Sequence, residues 1–338
     1  MKRNLPYAAL IALVLCACAK APTPGLNDSA KLYFDAWLHV NHPDAVASGL
    51  GAYVLSETTG SGTEAGTAKA NPYVRVHYIV SDLDGTVLST SLKEVAQRIG
   101  EYDEEDYYGP EIWQRGEGQL AAGLDDALES MRTGGIRTVA IPGWLNTTSR
   151  YAAKEDYLAK VNGTSAVYEV GLLEVIPDIK KWETDSVGRY VTATFPGKSA
   201  GDSLKYGFYY VRGAAPSSEE EFPIDTTIYI NYVGRLLDGH VFDTNVKDSA
   251  KFYGLYSASR TYAPTAVTWY NADGTYTDIK MGGSTVIDGF AYALSKMHPH
   301  EKGTAVFYSG VGYGSNGSGT SIPGYSPLRF DIEIVDKP

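Results

Sequence analysis

The sequence predicts an α+β protein that contains two similar units, each a curved antiparallel sheet with one short helix packed across it. A strand motif that alternates apolar and polar residues occurs twice, at 74–78 and 228–232, and each copy leads to an Asp-Gly turn. Apolar residues at helical spacing follow each motif, at 120–131 and 286–297. The 26 tyrosines and 36 glycines favour twisted sheets with many turns over a helical bundle.

The amino-terminal segment has the composition of an export signal. Two basic residues precede an apolar run at 5–15 that is too short to span a bilayer as a helix. Residues 1–18 resemble a bacterial lipoprotein signal peptide in which Cys18 receives the lipid, and the bulky residue before Cys16 makes it a poorer candidate. By analogy with lipoprotein sorting, the expected location is the cell envelope, lipid-anchored to the outer membrane and facing the periplasm. An ordinary secretory signal with two incidental cysteines is the alternative.

The repeat divides the remaining chain into two domains. Residues 19–49 are expected to form a Pro-rich tether followed by a short amphipathic helix at 27–41. A first domain is predicted at 50–178, a connector at 179–203 and a second domain at 204–338. The length of the chain agrees with this number of domains.

Composition excludes several classes of function. No cysteine lies beyond Cys18, which excludes disulfides, thiolate catalysis and Cys-ligated metal from the folded domains. A formal net charge of -11 argues against a nucleic-acid partner. The two histidines that flank Pro299 are more typical of a surface turn than of a metal site. We therefore expect a protein without a metal or another cofactor.

The second domain contains the most informative motifs of the chain. In order along the sequence they are YVGRLLDGHVFD at 232–243, VIDGF at 286–290, VGYG at 311–314, IPG at 322–324 and LRFDIEI at 328–334. This order resembles the pocket-forming segments of the FKBP-type peptidyl-prolyl cis-trans isomerases. The resemblance implies two tandem FKBP-like domains that act on proline-containing polypeptides and use no cofactor.

The resemblance implies roles for eight residues of the second domain, and the strand pattern adds Tyr232. An apolar slot for the prolyl ring is formed by Phe242, Val286, Ile287, Phe290, Ile322 and Phe330, with Ile322 as its cap. Asp243 is the carboxylate at the wall of the slot, and the Tyr313 hydroxyl hydrogen-bonds the substrate. Tyr232 also faces the slot because it shares a strand face with two isoleucines. The backbone N–H of Ile287, near the helix start, is free to donate to a bound carbonyl. Desolvation and stabilisation of the twisted amide would then catalyse rotation without a nucleophile.

Several departures from the family's pattern concern this pocket. Phe290 stands where the family usually has a tryptophan, and Ser321 replaces a frequent isoleucine. An insertion at about 251–278 could cover the pocket, and its Tyr276 is a candidate for an aromatic residue that the family has in this region. The alternative function is a non-catalytic envelope binding or chaperone lipoprotein with vestigial FKBP-like pockets. The presence of both Asp243 and Tyr313 favours the isomerase, whereas burial of the pocket beneath the insertion would favour the alternative.

The first domain has the same strand and helix pattern without the residues of the pocket. The equivalent positions are occupied by Leu88, Ser89, Leu124, Asn146 and Tyr168, and Val80 replaces a glycine. This domain is therefore expected to lack both a pocket carboxylate and a loop tyrosine. We expect it to be inactive and to hold substrate, to act as a spacer or to dimerise.

Overall fold

The computed structural model describes residues 25–223, 226–269 and 279–338. The predicted signal peptide, Cys18 and Tyr276 lie outside these ranges. Within them the chain forms two antiparallel sheets of seven and eight strands, with short helices in each domain and a longer helix between the domains. The predicted α+β class with two sheets is confirmed. No helix in the described ranges is both long and apolar enough to cross a membrane.

The first domain is a seven-stranded sheet with four helices. The helices are α1 (Asp28–Asn41), α2 (Lys93–Ile99), α3 (Ala122–Leu128) and α4 (Lys154–Lys160). The strands are β1 (Val46–Ala47), β2 (Tyr53–Thr58), β3 (Tyr73–Ser81), β4 (Val87–Thr90), β5 (Glu111–Gln114), β6 (Ile136–Ile141) and β7 (Ala166–Ile176). Their order is β1-β2-β6-β7-β3-β4, and β5 pairs with the first half of β3 while β4 pairs with the second half.

Alternation along β3 positions the core of the first domain. Val74 and Val76 are fully buried and belong to one apolar cluster with Leu124 of α3. This arrangement is expected for a strand with one buried face. The predicted helix at 27–41 is present as α1, and its buried Phe34 packs edge-on against Trp144 with ring centroids 5.7 Å apart.

The connector at 179–203 contains a helix that was not predicted. Helix α5 (Ile179–Thr194) begins after Asp178, whose side chain accepts a hydrogen bond from the Lys181 N–H at 3.0 Å. Such a cap satisfies one of the unpaired donors at a helix start. Val187 and Val191 are fully buried and pack with residues of the second domain. The connector is therefore part of the packed structure.

In its described residues, the second domain is an eight-stranded sheet with two helices. The strands are β8 (Phe208–Ala214), β9 (Thr226–Leu236), β10 (Val241–Thr244), β11 (Thr265–Trp269), β12 (Lys280–Met281), β13 (Ser284–Thr285), β14 (Lys302–Phe307) and β15 (Leu328–Val335). The helices are α6 (Lys247–Phe252) and α7 (Asp288–Leu294). The strand order is β13-β12-β11-β9-β15-β14-β8, and β10 pairs with β9.

Strand register identifies equivalent residues of the two domains around the middle of each sheet. In the first domain Val80 lies opposite Tyr168 of β7 and opposite Ser89 of β4. In the second domain the residue with the corresponding neighbours is Gly234, which lies opposite Phe330 of β15 and opposite Asp243 of β10. These pairs agree with the equivalences that the sequence repeat predicts.

The helices differ from the sequence prediction in length and in number. Helices α3 and α7 have seven residues each, although apolar residues continue at helical spacing beyond both. Met131 and Met297 lie outside these helices and are nevertheless buried, because the turns that follow also pack against the sheets. The prediction of one helix per domain omitted α2, α4 and α6.

Helix α5 also contains a buried carboxyl group. Glu183 is almost fully buried and accepts a hydrogen bond at 3.1 Å from the Ser309 N–H, just after β14. Burial raises the pKa of the Glu183 carboxyl to about 7. The contribution of Glu183 to the free energy of unfolding therefore changes with pH near neutrality.

Replacing Glu183 should make the free energy of unfolding less dependent on pH. The folded-state pKa is raised from 4.5 to about 7, so the contribution of the protonated carboxyl is complete below pH 4.5. This contribution is lost as the pH rises towards 7. The difference in the free energy of unfolding between Glu183→Gln and the wild type should shift in favour of the variant by at most about 3 kcal/mol from pH 4.5 to pH 7.5. Urea unfolding at both pH values measures this shift.

The matched control for this variant is Glu64→Gln. Glu64 is exposed and pairs only with the exposed Arg132 at 2.8 Å. Its replacement should change the unfolding free energy little at any pH, because exposed ion pairs contribute little. A difference between Glu183→Gln and the wild type that stays constant from pH 4.5 to 7.5 would contradict the assignment.

Candidate active site

The second domain contains a small cavity of about 250 Å³ between its sheet and the start of α7. Roughly 300–1,000 Å³ is typical of clefts for drug-sized ligands, so this cavity suits a single ring or side chain. The residues that line it are Tyr232, Phe242, Asp243, Met281, Ser284, Thr285, Val286, Ile287, Phe290, Tyr313 and Phe330. They come from β9, β10, the β12–β13 hairpin, the start of α7, the loop after β14, and β15.

Eight of the nine residues that the sequence selected line this cavity, and Ile322 does not. Ile322 is almost fully buried in the core of the second domain. Its N–H donates to the Ser318 carbonyl at 3.1 Å, and the Ser318 N–H donates back at 2.8 Å. This local turn directs Ile322 to the core and to a separate cleft between the domains, where Tyr107 and Thr320 are its neighbours. The expectation that Ile322 caps the slot is therefore corrected.

Aromatic rings in edge-to-face contact form the walls of the cavity. Phe330 packs against Phe242 at 5.6 Å and against Phe290 at 4.9 Å between ring centroids. Tyr232 packs against Phe290 at 5.9 Å. Gly234 lies beneath these rings, because a Cβ atom at this position would be 2.5 Å from the Phe242 ring and 2.9 Å from the Phe330 ring. The rings therefore require a glycine on β9.

A single carboxylate at the cavity wall is fixed by two partners. Asp243 Oδ2 accepts a hydrogen bond from the Tyr232 hydroxyl at 2.6 Å, and Oδ1 accepts one from Arg260 Nη2 at 2.6 Å. Burial, together with the charge of Asp243, raises the pKa of Tyr232, so this hydroxyl keeps its proton. Because Asp243 is engaged on both oxygens, it is suited to a fixed electrostatic role rather than to proton transfer.

Arg260 is a functional candidate that the sequence analysis missed. It lies in the insertion after α6, where its guanidinium also packs over the Tyr262 ring at 5.6 Å. Lys251 and Arg260 are the two basic residues of the 251–278 segment. The segment has no periodic pattern that would indicate which of these two cations reaches Asp243.

Two hydrogen-bond donors at the cavity have no acceptor among the described residues. The first is the backbone N–H of Ile287. This residue has an extended backbone and directly precedes α7. The second is the Tyr313 hydroxyl. Burial and the nearby charge of Asp243 raise the pKa of Tyr313, which therefore remains a donor at neutral pH. An apolar slot with two donors and one fixed anion can hold a peptide carbonyl but offers no activated nucleophile.

At the equivalent place in the first domain, Tyr78 and Ser89 line the cleft between the domains together with Glu111. The Tyr78 hydroxyl donates to Glu111 Oε1 at 2.9 Å, and the Trp113 ring lies 5.3 Å from the Tyr78 ring. Trp113 pairs with Val74 of β3, as Val267 pairs with Ile228 of β9. A tryptophan of the first domain therefore occupies the register position that Val267 has in the second domain.

The prediction that the first domain lacks a carboxylate at this place is wrong. Glu111 comes from β5, whereas the residue that the repeat aligns with Asp243 is Ser89 on β4. Burial raises the pKa of Glu111, and burial together with Glu111 raises the pKa of Tyr78 to about 12. The short helices Gly143–Leu145 and Ser309–Val311 are equivalent, so Asn146, which follows the first, aligns with Gly312. Asn146 therefore lies one residue before the position that corresponds to Tyr313.

Comparison with known proteins gives matches in both domains. A family model described as FKBP-type peptidyl-prolyl cis-trans isomerase matches residues 64–173 and 219–335. The chain is 28% identical over 272 residues to peptidyl-prolyl cis-trans isomerase FKBP9 of Rattus norvegicus, which covers 80% of this chain and 35% of that protein. It is 29% identical over 132 residues to the macrophage infectivity potentiator of Trypanosoma cruzi, covering 39% of this chain and 54% of that protein.

The matches differ in how much of each protein they cover. The chain spans about a third of the length of the FKBP9 and FKBP10 relatives that it matches. Among solved structures, the three FKBP domains of wheat FKBP73 align with 17% identity and a TM-score of 0.29, covering 84% of this chain and 94% of that chain.

Replacing Gly234 should disrupt the aromatic walls. The Cβ atom of Gly234→Ala would overlap the Phe242 and Phe330 rings, and overpacking of this kind costs about 1–3 kcal/mol. We expect this loss in the unfolding of the second domain, measured by urea denaturation. The control is Gly201→Ala, whose Cβ would have Ser199 Oγ as its nearest neighbour at 3.6 Å. The control should remain within about 0.5 kcal/mol of the wild type, and equal stability of the two variants would contradict the packing described.

Proposed function

The chain belongs to the FKBP-type peptidyl-prolyl cis-trans isomerase family, and from this premise we propose that its second domain catalyses rotation about peptide bonds that precede proline. The proposed substrates are proline-containing polypeptides. The observation that carries the proposal is the convergence of Tyr232, Asp243, Phe290 and Tyr313 on one apolar cavity. The family match covers both domains, so the geometry is what favours the second.

The physical problem is the partial double bond of the amide. Rotation meets a barrier of about 18–20 kcal/mol and, for bonds to proline, takes tens to hundreds of seconds without a catalyst. The planar amide is the more polar form, and water stabilises it. A site that removes water and binds the twisted amide more tightly than either planar isomer lowers the barrier.

Each part of the cavity has a role in this proposal. The rings of Phe242, Phe290 and Phe330 enclose the prolyl ring and exclude water. The Tyr313 hydroxyl and the Ile287 N–H donate to a substrate carbonyl and hold it while the bond turns. The Asp243 carboxylate, fixed by Tyr232 and Arg260, interacts with the dipole of the rotating amide. No covalent bond is made or broken.

The first domain is proposed to be inactive as an isomerase. The Tyr78 hydroxyl is bound by Glu111, the Trp113 ring packs against Tyr78, and Val80 replaces the glycine that lies beneath the aromatic walls of the second domain. In the second domain, Asp243 and Tyr313 line a cavity that remains available within the described residues. These features favour an isomerase over a non-catalytic binding lipoprotein.

The site of action is proposed to be outside the cytoplasm. The residues that support this lie at 1–18, where a basic start, an apolar run and Cys18 resemble a lipoprotein signal. The protein would then assist the folding of envelope proteins while attached to the outer membrane and facing the periplasm.

The proposed activity should appear in a proline-limited refolding assay. The wild-type chain should accelerate refolding of a substrate protein that is limited by isomerisation. Asp243→Ala should lower kcat/KM at least about 10-fold, because it removes the anion and leaves Tyr232 and Arg260 without their partner. Tyr313→Phe should lower it by about 2- to 10-fold, the worth of one hydrogen bond.

The control variant for this assay is Ser89→Ala, because Ser89 occupies the position of Asp243 in the first domain. It should leave the refolding rate unchanged. Absence of acceleration by the wild-type chain would remove the isomerase proposal. Loss of activity in Ser89→Ala would instead place the reaction in the first domain.

The proposed lipid anchor can be tested by labelling. Full-length protein expressed in a bacterium that processes lipoproteins should incorporate labelled palmitate, and Cys18→Ser should abolish the incorporation. Cys16→Ser is the matched control and should retain it. Labelling that persists in Cys18→Ser would reject Cys18 as the lipidated residue.

A further inference from the structure

The loop that contains Tyr313 is attached to the first domain at two points. It runs from Ser309 to Tyr325, between β14 and β15. The Tyr107 N–H of the first domain donates to the Thr320 carbonyl at 3.0 Å. The Tyr325 hydroxyl donates to Gln114 Oε1 of β5 at 2.5 Å. A wall of the cavity in the second domain therefore depends on contacts with the first.

Tyr325 is held in a conformation that needs support. Its φ angle is +58°, in the left-handed region that residues other than glycine rarely adopt. Its ring packs edge-on against Tyr73 of β3 at 5.2 Å, and Tyr73 is the direct strand partner of Gln114. Two neighbouring residues of the first domain thus fix both the ring and the hydroxyl of Tyr325. Strain of this kind persists where surrounding contacts determine the conformation.

The backbone of Tyr325 transmits this attachment to the cavity. Its N–H donates to the Gly314 carbonyl at 2.8 Å, and the Gly314 N–H donates to the Ser309 carbonyl at 2.9 Å. Gly314 directly follows Tyr313, whose hydroxyl has no hydrogen-bond partner among the described residues. The backbone beside Tyr313 is therefore fixed from both sides, while its hydroxyl is left to the cavity.

We propose that Tyr325 is a positioning residue for the isomerase reaction, and that the first domain holds it through Gln114 so that Tyr313 faces the cavity. This inference rests on the proposed function of the second domain. It gives the inactive domain a specific role, because its strand β5 supplies the acceptor that keeps the substrate-binding loop in place.

A double-mutant cycle on the full-length chain tests this coupling. In the wild-type background, Tyr325→Phe should lower kcat/KM by about 3- to 10-fold for a tetrapeptide with one Leu-Pro bond, measured without a coupling protease. In the Tyr313→Phe background the same substitution should change kcat/KM by less than about 1.5-fold. Equal losses in both backgrounds would show a merely structural effect and would overturn the proposal.

Variants of Gln114 separate the hydrogen bond from general packing. Gln114→Leu removes the acceptor and should reproduce the loss seen in Tyr325→Phe. Gln114→Glu keeps an acceptor and should retain most of the activity. The control is Tyr107→Phe, which removes another hydroxyl bond between the domains, to Asp238 at 2.9 Å, without touching Gly314. A loss in Tyr107→Phe as large as that in Tyr325→Phe would assign the effect to domain contact in general.

Hydrogen exchange supplies a measurement that does not depend on activity. The amides of residues 309–325 should exchange at least about 5-fold faster in Tyr325→Phe than in the wild type, and the rest of the second domain should not change. Unchanged exchange overturns the positioning role even if the wild type is an active isomerase. Faster exchange in Tyr325→Phe, found together with a wild type that has no isomerase activity, would reject the proposed function while leaving the attachment of the loop established.

Discussion

The candidate site depends on the pairing of β9 with its neighbours at Gly234. At this residue β10 lies on one side with Asp243, and β15 lies on the other with Phe330. The register shifts between Val241 and Asp243, so a β-bulge places Phe242 and Asp243 at the same cavity although adjacent strand residues normally face opposite ways. One irregular strand pair thus brings the carboxylate and an aromatic wall together, and the absence of a side chain at Gly234 leaves room for both.

The first domain shows that this backbone does not determine the chemistry by itself. Its β3–β4 pair has the same irregularity, between Val80 and Ser81. The side chains differ. In the second domain Tyr232 donates to Asp243 of β10, whereas in the first domain Tyr78 donates to Glu111 of β5, which pairs with the other half of β3. The same fold can therefore place different side chains around the equivalent tyrosine, depending on the residues at a few register positions.

The sequence predicted those parts of the structure that follow from local pattern. Strand alternation and the repeat predicted both sheets, and the ordered motifs predicted eight residues of the cavity. The missed features are contacts between distant segments. Arg260 lies in an insertion without periodicity, Glu111 lies on a strand whose role depends on pairing, and the Tyr325–Gln114 bond joins residues 211 positions apart. Ile322 was misplaced because a short turn, rather than the motif order, decides where its side chain packs.

The two domains also meet in a way that tandem repetition alone would not require. Glu183 of α5 receives the Ser309 N–H at one end of the Tyr313 loop, and Gln114 of β5 receives the Tyr325 hydroxyl at the other. Both ends of the loop that bounds the cavity are therefore bound by residues outside the second sheet. The proposed binding of a twisted amide requires a rigid site, so this attachment gives a physical reason for the connector helix and the first domain to remain packed against the cavity-bearing domain.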